Sequence, residues 1–418
     1  MASNVKPIWR WMGSVGKRPD FRRLWLASTG SAIGTYVTAI ALSLVAVKTL
    51  NATAWQIGAL QIATTAPSFL IGLAAGAWVD RLRRRPLMIA CDLIRAVTLI
   101  AIPLAAWLGA LSMPRLIAAA ALLAVASLFF EIADRSMLPS VVGRDELVDA
   151  NRMITAGATV SEAGGFALGG WLVHLLSGPA ALLIDAGSFV WSATLLRSME
   201  TPEPPPAPIQ DRQPILAEIR EGLRLVAGVR ELRVLAAATL LASVGGQTIG
   251  VMYMIFVSRD LGFDAGVLGM IFATGGIFSL LGSITSNRVT AKLGTRTTLA
   301  AGLLFKAVTD GSLALAGGPT ILGGAVLIGQ QVGDYGAALY QMGEVSLRQT
   351  VTEDEWQGRM HGAFRVLEFG GYLAGAVIGG ALGSAIGARG AIIAGAAITA
   401  CAAAPIVLRG RFSVSGSR

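Results

Sequence analysis

Apolar residues run through this chain in long blocks separated by short polar breaks. The blocks fall at 24–47, 55–79, 87–109, 115–138, 151–176, 179–197, 232–257, 264–287, 297–316, 319–345, 362–386 and 390–408. A bilayer core of about 30 Å takes roughly 20 helical residues at 1.5 Å rise each, and every block is near that length. The pattern predicts an all-α membrane protein with twelve transmembrane helices. One longer polar interval, 198–231, divides the blocks into two sets of six. Two pseudo-symmetric six-helix bundles follow, at 1–197 and 232–418, joined by a linker. The linker opens on the stiff stretch TPEPPPAP. Leu216, Ile219, Leu223 and Val226 then recur at helical spacing, which predicts an amphipathic helix on the membrane surface.

Composition agrees with that pattern. The chain is 54% hydrophobic and 14% charged, whereas soluble domains carry about 25% charged residues. A formal charge of +9 raises nucleic acid as a partner, but no soluble module carries a basic patch. The charge has a better use in topology, because Lys and Arg collect in cytoplasmic loops. With the N-terminus inside, 28 of the 34 basic residues lie on the inner side. Both termini are therefore expected in the cytoplasm of a multi-pass inner-membrane protein. The basic head, with Trp9 and Trp11 beside Arg10, reads as the interfacial flank of an uncleaved first span. Cys91 and Cys401 sit inside apolar blocks and read as packing residues.

The two halves resemble each other. LIRAVT (93–98) matches LFKAVT (304–309), VGRDEL (142–147) matches VTEDEW (351–356), and EAGGF (162–166) matches EFGGY (368–372). The offsets are 211, 209 and 206, in the same order along the chain. A parallel duplication of six spans lets two bundles rock about a central site, which is the architecture of alternating-access transporters.

Charges inside spans are costly, about 2.5–3.5 kcal/mol each on insertion scales, and are functional by default. Asp92 and Arg95 stand three apart, and Lys306 and Asp310 four apart, so each pair shares a helix face. The first pair reads equally as self-neutralised structure; the second lies deeper, which favours a role in transport. Glu162 has no basic residue within four positions. Desolvation disfavours the charged form of such a carboxylate, which suits it to carrying a proton. Glu162 and Asp310 are therefore the proton-coupling candidates. Lys306, Glu131, Asp334 and Glu368 are candidates for the substrate path, with Glu368 the repeat mate of Glu162 and Arg365 three positions before it. Asp185 reads as architectural. GGFALGG and GGYLAGAVIGG place small residues four apart, a pattern for close helix packing. His174 and His361 lack metal-ligand spacing, and no GxxxxGK[ST] loop is present, so no metal, ATP hydrolysis or other enzymatic constellation is expected. The proton gradient is the expected energy source, without a cofactor.

GAWVDRLRRRP (76–86) resembles the loop signature between spans two and three of the major facilitator superfamily, with Gly76, Asp80, Arg81, Arg84 and Arg85 matching and Arg83 in place of a glycine. GSITSNRVTAKLGTR (282–296) resembles its degenerate copy in the second half. FFEIADRSMLPSVVGRDELVDANRM and LLIDAGSF are similar to the branch containing the enterobactin exporter and macrolide efflux proteins. The resemblance implies a monomeric, proton-coupled exporter of a small organic compound, drug or siderophore-like. It also implies an inner gate in which Asp80 pairs with Arg135. Two departures stand against a full match: Phe166 replaces the proline of the exporter motif, and span four lacks the mid-membrane arginine of many drug–proton antiporters. Uptake or facilitated transport on the same fold, and a non-transporting sensor or assembly partner, remain the alternatives.

Overall fold

A computed structural model describes residues 14–79, 81–202 and 215–409, and among them it contains helices and no strand. By density of contacts the chain divides into two compact units, Met1–Leu42 with Leu70–Asp211, and Ser43–Phe69 with Arg212–Arg418. Residues 43–69, which belong to the first half by sequence, group with the second unit.

The first unit holds α1 (Pro19–Leu44, up to residue 42), α3 (Gly72–Val79), α4 (Arg84–Trp107), α5 (Met113–Val141), α6 (Leu147–Leu176) and α7 (Gly178–Arg197). Its core is built by Phe21, Leu24, Met88, Phe130, Met137 and Leu196. The second unit holds α2 (Ala54–Leu70, up to residue 69), α8 (Ile215–Gly228), α9 (Arg230–Ile255), α10 (Ala265–Leu293), α11 (Thr295–Ser312), α12 (Ile321–Thr350), α13 (Gln357–Cys401) and α14 (Ala403–Arg409). Leu232, Leu235, Leu299, Leu303, Phe364 and Ile406 are its buried centre. The predicted amphipathic segment is α8, whose Gly222 lies against the backbone of α13 at Arg359.

Among the described residues, eight helical stretches are long and apolar enough to cross a membrane. Helices α2, α6 and α12 fall outside that set for legible reasons. Helix α2 has 17 residues and ends three positions after Pro67. Helices α6 and α12 are 30 residues long but carry polar groups, Glu162 in one and Gln330, Gln331, Asp334 and Glu344 in the other. Helix α13 breaks at Gly387, where φ is 75° and ψ 171°. Large apolar side chains such as Val97, Ile284, Val308 and Leu408 are exposed, as expected of a surface that meets lipid rather than water.

The duplication seen in the sequence recurs in backbone detail. Helix α1 runs into a π-helical turn at Val45–Thr49, and α9 runs into one at Phe256–Asp260, the equivalent place in the second half. A 3-10 turn precedes α6 at Arg144–Glu146, and another precedes α13 at Asp354–Trp356. Ser177, between α6 and α7, has φ 82° and ψ 159°, and Gly387 repeats that conformation at the matching point of the second half. Glycine accepts it without a Cβ penalty.

Each unit also uses its small residues alike. On α6, Gly157, Ser161, Gly165 and Gly169 face α1. Ser161 Oγ donates to Thr29 O at 3.1 Å, and a Cβ on Gly165 would lie 2.8 Å from Ile33 O. On α13, Gly371, Gly375 and Gly379 face α9 in the same way, and Thr248 Oγ1 donates to Gly375 O at 3.2 Å. Small residues at this spacing let two backbones approach within the bilayer, where dispersion contacts replace the hydrophobic effect as the source of attraction.

Candidate functional site

One polar cluster of the second unit lies on α11 and α12, flanked by α9 and α10. Lys306 Nζ donates to Asp310 Oδ1 at 2.8 Å, one turn along its own helix, and to Asp334 Oδ1 at 3.0 Å on α12. Gln330 Nε2 donates to the same Asp310 oxygen at 2.8 Å. Gln331 Nε2 reaches the Tyr253 hydroxyl on α9 at 3.3 Å, and the Tyr253 ring lies 5.3 Å from that of Phe272 on α10. Gly275, also on α10, leaves room for the polar groups: a Cβ there would sit 2.5 Å from Asp334 Oδ2. The two acids differ in access. Asp310 is 3% exposed and Asp334 29%. With both acids ionised the cluster holds one cation against two anions, so the lysine neutralises one of them.

The sequence spacing anticipates Lys306 with Asp310. It does not anticipate Asp334, which comes from the next helix, or the three polar neighbours. Those depend on α11 packing against α12, where Gly302 and Gly336 meet backbone to backbone.

A second cluster lies in the same unit, around Glu344, a residue the sequence reading does not single out. Glu344 pairs with Arg348 one turn on at 2.8 Å and accepts from Thr239 Oγ1 at 3.2 Å. Thr239 and Tyr340 share a hydrogen bond of 2.9 Å, and the Arg348 guanidinium lies 4.3 Å above the Phe364 ring. Glu368 is half-buried and within electrostatic reach of Glu344 and Tyr340.

In the first unit the expected residues fall into three groups. Glu131 and Arg135 pair with each other at 2.7 Å along α5 and are exposed. Glu162 is exposed on α6, not enclosed by neighbouring helices, so the packing does not supply the burial expected of it from the sequence; both it and Glu131 act electrostatically on the Tyr36 hydroxyl of α1. Three helices thus bring two carboxylates and a phenol towards one face. Charged side chains are costly in lipid, so exposed acids and bases on apolar helices are expected to face a watered surface.

The second group is buried. Asp92 and Arg95 form an ion pair, and the guanidinium lies between the Phe130 ring at 4.3 Å and the Phe189 ring at 4.1 Å. Asp185 accepts from Thr38 and from Ser188 Oγ at 2.9 Å. Asp134 accepts from Ser28 Oγ at 2.8 Å. These contacts tie α1, α4, α5 and α7 to one another.

The third group is the expected gate. Asp80 lies outside the described residues, and Gly76 sits in α3. Arg81 is exposed and Arg84 half-buried. Arg85 Nη1 donates to Met199 O at 2.6 Å, and Nη2 to Thr201 O, just past the end of α7. Asp20 holds the same stretch from the other side, accepting from the Glu200 and Thr201 amides at 2.9 and 2.6 Å. Arg85 is therefore a clip on the chain that leaves α7. Among the described residues no group of three or more His, Cys, Asp or Glu is placed to hold a metal ion, and both cysteines are free.

The profile of the transmembrane secretion effector family matches residues 17–415. The multidrug efflux pump Tap of Mycolicibacterium fortuitum is 26% identical over 391 residues, covering 90% of this chain and 92% of that protein. The MFS-type transporter y4rN of Sinorhizobium fredii is 26% identical over 373 residues, covering 88% and 89%. Among solved structures, the nucleoside transporter NupG is similar with a TM-score of 0.72 at 15% identity, covering 94% of this chain and 99% of its own. At that identity the likeness speaks for the fold. The paired polar clusters, the repeated backbone breaks and the near-complete family match converge, and the chain belongs to the transmembrane secretion effector family, multi-pass membrane transporters of the major facilitator superfamily.

Proposed function

We propose that this chain is a secondary active exporter of a small organic compound, drug or siderophore-like, driven by proton antiport through alternating access. The observation that carries this reading is the cluster of Lys306, Asp310 and Asp334. A transporter gains from intramembrane charges only if their partners change between states, since a fixed buried pair costs desolvation without doing transport work. The 26% identity to a multidrug efflux pump over nine-tenths of the chain supports the outward direction.

In this reading the apolar helices make twelve spans. Helices α2 and α3 together make one span, α6 and α12 cross despite their polar content, and α13 crosses twice about Gly387. Both termini then face the cytoplasm of a bacterial inner membrane. The protein acts as a monomer, with bundles at 1–197 and 232–418 and the linker between them. Asp310 and Glu162 exchange protons, Lys306, Glu131, Asp334 and Glu368 border the substrate path, and Asp80 with Arg135 closes the inner gate.

Inside-out membrane vesicles test the reading. Overproduction is expected to add uptake of a fluorescent drug that collapses when a protonophore removes the pH gradient. Drug movement that ignores the gradient points to facilitated transport, and movement in the opposite sense to import. Glu162→Gln is expected to abolish the gradient-dependent part while leaving exchange of unlabelled for labelled substrate. If that variant keeps full pH-driven accumulation, its carboxylate does not carry the proton.

A further inference from the structure

The cluster on α11 and α12 contains its own occupant. Lys306 is a primary ammonium on a flexible stem, held at its base by Asp310, which Gln330 fixes in turn. Asp310 is sealed at 3% exposure, so it serves as the anchor. Asp334 is 29% exposed, and Lys306 is its hydrogen-bonding partner among the described residues. Around this carboxylate lie Gln331 of its own helix, bonded to Tyr253 of α9, then the side-chain-free Gly275 of α10 and the Phe272 ring beyond Tyr253. This setting suits a cation carried on an apolar body: an accessible carboxylate, with two aromatic rings in the surrounding network. Rings of this kind attract desolvated cations.

We infer that Asp334 is the recognition carboxylate for substrates bearing a single positive charge, and that the Lys306 ammonium is a tethered stand-in which such a substrate displaces. The inference rests on the exporter reading and names the substrate class of that same site. Binding and release then exchange one cation for another at Asp334. The carboxylate is not left bare in the membrane at either stage, which avoids the cost of an unpaired buried charge. Asp310 sets the strength of the competition, because it holds Lys306 back when the substrate is bound.

The test reads ethidium binding to purified, detergent-solubilised protein by fluorescence anisotropy, independent of transport. The double variant Lys306→Gln/Asp310→Asn removes one positive and one negative charge, so the cluster keeps its net charge while Asp334 loses its competitor. It is expected to bind ethidium more tightly than the wild type, on the order of tenfold. Asp310→Asn alone leaves Lys306 to Asp334 and is expected to weaken binding. Adding Asp334→Asn to the double variant is expected to abolish the gain. Size-exclusion profiles establish that each variant is folded. Should the double variant bind no better than wild type, or the gain survive loss of Asp334, the inference is overturned; so it is if the wild type binds no ethidium while retaining radiolabelled chloramphenicol, which is uncharged. Gradient-driven export of chloramphenicol would in that case leave the exporter reading standing. Tighter ethidium binding without any gradient-driven export would do the reverse.

Discussion

Three ion pairs at three- or four-residue spacing look alike in the sequence, and their surroundings give them different work. Asp92 with Arg95 is sealed among aromatic rings, Glu131 with Arg135 is exposed, and Lys306 with Asp310 is shared with a second helix. Spacing tells which side chains can meet on one helix; it cannot tell what the next helix brings. The phenylalanines that enclose Arg95 come from α5 and α7, and Asp334 reaches Lys306 from α12. Glu344 and Arg348 obey the same spacing rule, but the predicted span ends at 345, between them, so hydropathy sets the acid in the span and its partner in a loop. These differences predict opposite responses. Asp92→Asn strips the partner from a buried guanidinium, and breaking a buried pair costs about 3–5 kcal/mol. Its melting temperature in detergent should fall by many degrees and its yield should drop. Glu131→Gln opens an exposed pair worth at most about 1 kcal/mol. It should melt close to wild type, so any loss of transport in that variant belongs to function. Equal melting of the two variants would contradict the assignment of Asp92 to structure.

At the scale of elements, what the sequence shows best is repetition, and the structure adds what the repetition is for. The motif matches located the duplicated spans, and the shared π-helical turns and positive-φ residues follow the same order. The small-residue stripes were legible as close-packing surfaces. Which glycines face a neighbour was not, because adjacent glycines in GGF and GGY point about 100° apart around the helix. Gly165 meets α1, where a Cβ would lie 2.7 Å from the Tyr36 Cβ, whereas Gly164 has nothing within 4 Å. Overpacking a tight interface typically costs about 1–3 kcal/mol. Replacing an open helical glycine by alanine gains about 0.5–1 kcal/mol in helix propensity. Gly165→Ala is therefore expected to lower the melting temperature and Gly164→Ala to leave it unchanged or raise it. Matched losses in both would mean that α1 and α6 do not meet along this stripe.

For the molecule as a whole, the sequence halves and the compact units do not coincide. Hydropathy places residues 43–69 in the first half because chain order is all it reads. The structure groups them with the second unit, for reasons that lie in specific contacts. Arg259 Nη2 donates to Val47 O at 3.0 Å and to Ala52 O at 3.1 Å. The rings of Phe69 and Phe369 stack at 4.0 Å, and Gly58 and Gly380 leave room for Ala376 and Trp55. Each of these contacts joins one sequence half to the other, so no local pattern could announce them. They imply that residues 212–418 lack part of their own packing when made alone. A gene split within the linker tests this. Co-expressed, a tagged 212–418 fragment should carry 1–211 through purification in mild detergent, since the first fragment supplies α2. Expressed by itself, it should be degraded or elute as aggregate. Arg259→Ala together with Phe369→Ala should weaken the co-purification. An aromatic pair contributes roughly 0.5–1.5 kcal/mol, and a hydrogen bond from a charged group about 1.5–3 kcal/mol, the lower end applying to an arginine as exposed as Arg259. A 212–418 fragment that is monodisperse and thermally stable without its counterpart would show that α2 is dispensable to the second unit.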